Sequence, residues 1–196
     1  MCGIGGILDA NGPHSGQERL RLLTKMMRAI RHRGPDDFGV WEDAAVGVAL
    51  GHRRLSIVDL SMSGHQPMES VCGRYVTTFN GEIYNYKELR LDLEKIPPGL
   101  HSSKENIVWR GHSDTETLLA GFETWGIEAT LKKTVGMFAI ALWDREERVL
   151  TLARDRMGEK PLYYGQVGGR FAFGSELKSL RALDGFDCPV DRDALA

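Results

Sequence analysis

The sequence predicts an α+β fold built mainly from antiparallel sheets. Three observations carry that expectation. Short β-branched or apolar runs come in hairpin-like pairs, with no regular β-α-β alternation. Only a few segments show helical periodicity. Glycine is in excess, with 23 residues in 196, which implies many tight turns or close backbone approaches.

The elements follow in order. Cys2 to Leu8 is short, Gly-rich and apolar, a buried strand where backbones come close. Leu20, Leu22, Leu23, Met26, Met27 and Ile30 form a helical stripe within Gln17 to Ile30, with Ser15 as a candidate N-cap. Gly34 and Pro35 stop that helix. Phe38 to Trp41 and Val46 to His52 read as strands about a turn at Glu42-Asp43, and Leu55 to Leu60 as a further short run. Arg74 to Asn80 is rich in aromatic and β-branched residues, and Asn80-Gly81 after it is a strong turn signal. Tyr86 to Leu93 is a short helix. Lys95 to Asn106, with Pro97-Pro98-Gly99, is a surface loop. Asp114 to Trp125 is helical, with Ser113 or Asp114 as cap. Met137 to Trp143, Val149 to Ala153, Leu162 to Tyr164 and Arg170 to Phe173 are strands, and Glu176 to Leu183 a closing helix.

Composition bounds the function. Apolar residues at 42% and charged residues at 27% suit a globular chain and exclude a disordered or disulfide-scaffold class. A net charge of -2 lacks the basic footprint of a nucleic-acid binder. No apolar run approaches the roughly 20 residues of a membrane span. No signal peptide is visible, so the cytoplasm is the expected compartment. Three cysteines, Cys2, Cys72 and Cys188, offer neither a disulfide framework nor zinc spacing. No histidine pair has metal-site spacing either.

Cys2 directly follows Met1. Removal of Met1 would leave a thiol and a free α-amine on one residue, a known way to activate a nucleophile. The amine's reference pKa near 7.7–8.0 suits a base at neutral pH. Alternatively, Cys2 is a small residue in a buried strand.

Eight or more blocks then agree, in order, with one family. They include Cys2-Gly3-Ile4-Gly5-Gly6-Ile7, Arg31-His32-Arg33-Gly34-Pro35-Asp36, His52-Arg53-Arg54-Leu55-Ser56-Ile57-Val58-Asp59 and Gly64-His65-Gln66-Pro67-Met68. Asn80-Gly81-Glu82-Ile83-Tyr84-Asn85, Ser113-Asp114-Thr115-Glu116, Arg154-Asp155-Arg156-Met157-Gly158-Glu159-Lys160-Pro161 and Gly174-Ser175-Glu176 continue the series. The chain resembles class II glutamine amidotransferase domains, the N-terminal-nucleophile hydrolase type, and among them those of glutamine-hydrolysing asparagine synthetases.

That resemblance implies a four-layer αββα sandwich over residues 1–185. Residues 186–196, including Asp191-Arg192-Asp193-Ala194-Leu195, would begin a linker to a synthetase domain. It implies Cys2 as nucleophile and Asn80 with Gly81 as oxyanion hole. Arg54 would hold the α-carboxylate of L-glutamine, since a planar guanidinium grips a carboxylate in two parallel bonds. Asp114 would hold the α-ammonium. Leu55, Ser56, Ile57, Val58 and Glu82 would line the pocket. The competing roles are a surface ion pair for Arg54, a helix cap for Asp114 and a hairpin turn for Asn80-Gly81. His32, His52 and His65 are expected to be structural. The glutaminase domain itself would need no cofactor or metal; ATP and Mg²⁺ would belong to the synthetase domain. The ammonia acceptor would be aspartate or another carboxylate such as a sugar acid. Nucleic acid and membrane are not expected partners, and a homodimer is possible. A catalytically silent docking module and a redox-sensing thiol protein are the rival classes.

Overall fold

The computed structural model describes residues 1–9, 16–55, 64–97, 107–187 and 189. Nine strands make two antiparallel sheets among these residues. The first sheet has the order β2 (Asp37–Asp43), β3 (Val48–Arg54), β1 (Gly3–Leu8), β9 (Arg170–Gly174), β8 (Tyr163–Val167). The second runs β4 (Met68–Glu69), β5 (Tyr75–Ile83), β6 (Gly136–Asp144), β7 (Val149–Arg154).

Strand alternation explains the layers, because successive side chains face opposite sides of a sheet. Ile4, Val48, Leu50, Val76, Ala139, Ala141, Trp143 and Phe173 meet between the sheets. The opposite parity in the first sheet packs on α1 (Gly16–Ala29) and α5 (Leu177–Arg181), burying Ile7, Ala49 and Ala172 against Leu23, Met26, Met27 and Leu180. The outer face of the second sheet packs on α2 (Tyr86–Glu94), α3 (Asp114–Trp125) and α4 (Ile127–Lys133), through Phe79, Ile83, Phe138 and Ile140 against Leu89, Leu118, Leu119 and Phe122. The result is the expected αββα sandwich.

Glycines in β1 make the close approaches that the sequence suggests. A Cβ on Gly5 would lie 2.9 Å from Met27 of α1. One on Gly6 would lie 2.3 Å from the Phe173 ring.

Some local expectations need correction. Asn80-Gly81 is not a turn. Both residues lie inside β5, which pairs with β6 from Tyr75↔Asp144 to Ile83↔Gly136. Gly81 is there because a Cβ would come 2.2 Å from the Met137 carbonyl oxygen, so it serves close approach rather than reversal. Glu42 and Asp43 belong to β2, and the reversal falls at residues 44–47, closed by the Gly47 N–H donating to the Asp43 carbonyl at 3.0 Å. Gly47 supplies the positive φ of 78°. Ser113, not Asp114, caps α3; its hydroxyl accepts from the Glu116 N–H. Ser15, residues 56–60 of the Leu55 to Leu60 run, and most of the loop after Lys95 lie outside the described residues.

Candidate active site

The parity that builds the core also builds a cavity at one end of the sandwich. On β3, His52 and Arg54 share the inward parity of Val48 and Leu50. Arg53 faces the other way, donating to the Met27 carbonyl at 3.1 Å and lying over the Phe38 ring. The choice between the two arginines is therefore made by one step along a strand. Cys2 shares the parity of Ile4, and Asn80 that of Val76. These side chains converge on a cavity of about 170 Å³, with Leu55, Gln66, Gly81, Glu82, Asp114 and Lys160 also in its wall.

Cys2 stands just before β1. Its sulfur lies 3.4 Å from the Leu55 N–H, which donates to it, and 3.6 Å from the Leu55 carbonyl oxygen. The Cys2 carbonyl accepts from Arg33 Nε at 2.9 Å, and Arg33 is paired with Glu176 at 3.1 Å. The backbone beneath the sulfur is thereby fixed. Glu176 also meets Lys178 and His32; although burial opposes it, this cationic surround holds its carboxyl down at about 2.

Asn80 is 1% exposed, and its Nδ2 has no hydrogen-bond partner among the described residues. A buried amide donor left unpaired is costly in a folded protein and points to a function. In an antiparallel strand, alternate N–H groups point to opposite edges. On the β5 edge away from β6, the Phe79 N–H donates to Gln66 Oε1 at 2.7 Å and the Ile83 N–H to Asp114 Oδ2 at 3.0 Å. The Gly81 N–H falls between them on that edge.

Phe79 is held on both sides. The buried His52 Nε2 donates to its carbonyl at 3.1 Å, while Gln66 Nε2 reaches Thr115 on α3 at 3.2 Å. Burial pushes the His52 imidazole down to about 4, so the ring is neutral near pH 7; the Phe79 carbonyl pulls weakly the other way. His65 sits outside this network, on Asp37 at 2.7 Å.

Arg54 is buried, and Gly64 fits against its guanidinium; a Cβ there would lie 2.1 Å from a terminal nitrogen. Burial raises the Asp114 carboxyl above its ordinary value, and nearby Glu82 adds to that, against backbone N–H groups that lower it. Among the described residues no Lys or Arg pairs with Asp114 within 4 Å. A partly desolvated carboxylate of this kind suits an incoming ammonium.

The structure thus brings together Cys2, Arg54, Leu55, Asn80, Gly81, Glu82 and Asp114. Ser56, Ile57 and Val58 lie outside the described residues. Sequence reasoning missed Gln66, Gly64 and Lys160, and left His52 a purely structural residue. All three lie in blocks that agree with the family, which is the signal that singles them out.

The whole chain, residues 1–196, matches the glutamine amidotransferase domain family. The chain belongs to that family. It is 40% identical over 208 residues to a putative glutamine-hydrolysing asparagine synthetase of Mycobacterium tuberculosis, covering all of this chain and 30% of the relative. It is 39% identical over 195 residues to asparagine synthetase 1 of Bacillus subtilis, covering 100% of this chain and 29% of that protein. The chain therefore spans about a third of the length of these relatives. In fold, it matches glutamine phosphoribosylpyrophosphate amidotransferase from B. subtilis with a TM-score of 0.71, at 19% identity, over 92% of this chain and 43% of that one. Among the described residues no group of three or more His, Cys, Asp or Glu is placed to hold a metal ion, and no helix is long and apolar enough to cross a membrane.

Proposed function

We propose that this glutamine amidotransferase domain hydrolyses L-glutamine to glutamate and ammonia through a thioester on Cys2. The observation that carries the reading is the buried Asn80 Nδ2, without a partner among the described residues, on the cavity that holds the Cys2 sulfur.

In the processed chain, with Met1 removed, the Cys2 α-amine takes the thiol proton. The sulfur attacks the side-chain carbonyl carbon of glutamine. A carbon–sulfur bond forms and the carbonyl π pair moves to oxygen. Asn80 Nδ2 and the Gly81 N–H meet that oxyanion, having needed no reorganisation. Collapse expels ammonia, which carries away the proton held by the amine. Water then opens the thioester, releases glutamate and restores the thiol. Arg54 takes the α-carboxylate and Asp114 the α-ammonium, which sets the amide against the sulfur. Leu55 and Glu82 complete the described wall, and Ser56, Ile57 and Val58 extend it.

By similarity to the synthetases, the ammonia serves an ATP- and Mg²⁺-dependent amide-forming domain whose acceptor is aspartate; a sugar acid or another carboxylate is the alternative. No step in the present chain runs through ATP or Mg²⁺. The cytoplasm is the proposed compartment. Nucleic acid and membrane are not proposed as partners, and self-association as a dimer is compatible with the reading.

The test is Cys2→Ala in protein whose loss of Met1 has been checked by intact mass. Glutamate release from glutamine should vanish. Undiminished release would overturn the mechanism.

A further inference from the structure

Lys160 belongs to no step above, yet the fold goes to some length to place it. It lies at the end of the segment that follows β7. Asp155 accepts three backbone N–H groups there: Phe138 at 3.2 Å, Glu159 at 2.8 Å and Lys160 itself at 3.0 Å. Burial alone would raise the Asp155 carboxyl, but these donors outweigh it and hold it low. Arg154 Nε closes the segment on the Lys160 carbonyl at 2.7 Å. Gly158 turns it with a φ of 69°. The residue that this folded segment sends into the glutamine cavity is Lys160.

Its charge has no counterpart among the described residues. Lys160 is 6% exposed, and no carboxylate lies within 4 Å of its ammonium among the described residues. Its Nζ reaches Met1 Sδ at 3.5 Å, a neutral and weak acceptor. Met1 is the neighbour of Cys2 and is absent from the processed chain of the proposed reaction. A buried ammonium left with only a thioether is expensive unless an anion meets it. Four charged side chains line the described cavity: Arg54 and Lys160 against Glu82 and Asp114. Bound glutamine is a zwitterion. Arg54 and Asp114 already answer its two charges, while Glu82 is exposed at the rim. Lys160 remains, at the Met1–Cys2 end of the cavity, where the reaction creates negative charge.

We propose that Lys160 is a further catalytic residue of this site, whose ammonium meets the negative charge formed at the Cys2 sulfur and on the attacked amide. The inference rests on the glutaminase reading for its substrate, but its charge effect on Cys2 is measurable without turnover. It adds no proton transfer: Lys160 stays an ammonium throughout, and the thiol proton still travels by way of the α-amine to ammonia.

The experiment compares wild type, Lys160→Met and Lys160→Arg, each with Met1 removed. One readout is kcat and KM for glutamine. The other is alkylation of Cys2 by iodoacetate and by iodoacetamide, followed by peptide mass, with exposed Cys72 as the reference thiol in the same chain. A cation beside the sulfur favours the anionic reagent, so the ratio of the two rates reports local charge. Lys160→Met should lower kcat about 10- to 100-fold, the worth of one charge-assisted contact, with KM within about twofold. Its iodoacetate-to-iodoacetamide ratio at Cys2 should fall about 5- to 10-fold, and Lys160→Arg should recover most of both losses. Unchanged kcat and ratio in Lys160→Met would overturn the proposal. A rise in KM alone would also overturn it, by placing Lys160 on the substrate carboxylate. Should Lys160→Met not fold, Lys160→Gln takes its place, and wild type still decides: equal ratios at Cys2 and Cys72 count against the proposal. Failure of wild type to release glutamate would instead defeat the glutaminase reading, leaving the alkylation result to judge Lys160.

Discussion

Replacing Asn80 by leucine should separate activity from stability. The side chain is 1% exposed, and its Nδ2 donor is buried without a partner among the described residues. Leucine is close in size and carries no donor, so Asn80→Leu removes the amide with little change in packed volume. For a chain of this length, 1 kcal/mol moves Tm by roughly 2–4 °C. The variant should therefore melt within a few degrees of wild type. Its kcat should fall about 100- to 1000-fold, the usual effect of deleting one oxyanion donor. KM for glutamine should change little, since the ground-state amide is not the group that the donor is aimed at. Calorimetry and a coupled glutamate assay on the same preparation read both quantities. A variant that loses activity and also melts several degrees lower would make Asn80 a structural residue. A variant that keeps its activity would remove it from the oxyanion hole.

Three other substitutions bear on the same frame. Arg54→Lys should raise the glutamine KM about 10- to 100-fold with kcat nearly kept, because one ammonium cannot replace a two-pronged grip; unchanged KM would free Arg54 of that role. Gly81→Ala should cost about 2–4 kcal/mol in urea unfolding, since its methyl would lie 2.2 Å from the Met137 carbonyl oxygen; a midpoint equal to that of wild type would refute the close approach. The His52 imidazole is held near 4 by burial in the fold but titrates near 6.5 when unfolded, so the unfolded chain binds the extra proton first. Its contribution is complete above pH 6.5 and is lost as pH falls towards 4, on the order of 3 kcal/mol in all. The wild-type stability curve should therefore drop more steeply over that range than the curve of His52→Gln, and parallel curves would show that His52 does not report on acid loss.

Strand-forming runs and the α1 stripe were legible because period 2 and period 3.6 are local properties. Asp114 to Trp125 was legible to the residue, because Ser113 ends an irregular stretch and starts an apolar face. Two elements were too short to show a period: β4 has two residues, and α4 has seven, with Ile127 and Leu131 as its apolar pair. Asn80-Gly81 misled for a physical reason. The same absent Cβ that permits a hairpin also permits close contact with the Met137 carbonyl, and sequence does not distinguish the two. Of the candidate site, Cys2 was visible from its place after Met1, and the resemblance supplied Arg54, Asn80 and Asp114. Parity along β3 then gave the physical reason to separate Arg54 from Arg53. Lys160 lies in a family block too, but a lysine in a Gly- and Pro-flanked loop is by default a solvated surface residue, so its inward turn was not read. Only the Asp155 and Arg154 bonds that curl the segment inward show otherwise.

The strand behind the proposed nucleophile has a kinetic side. β1 is hydrogen-bonded along both edges, to β3 from Gly3↔Arg53 onward and to β9 from Gly5↔Gly174 onward. The Ile4 N–H also donates to the Ser175 hydroxyl, and the Ser175 N–H to the Ile4 carbonyl, both at 2.9 Å. Amides so enclosed exchange with solvent only through openings that approach complete unfolding. Cys2 is thus carried at the edge of one of the slowest-opening parts of the molecule. Each encounter with substrate begins with the sulfur already in place, so little of the binding free energy is diverted to ordering it.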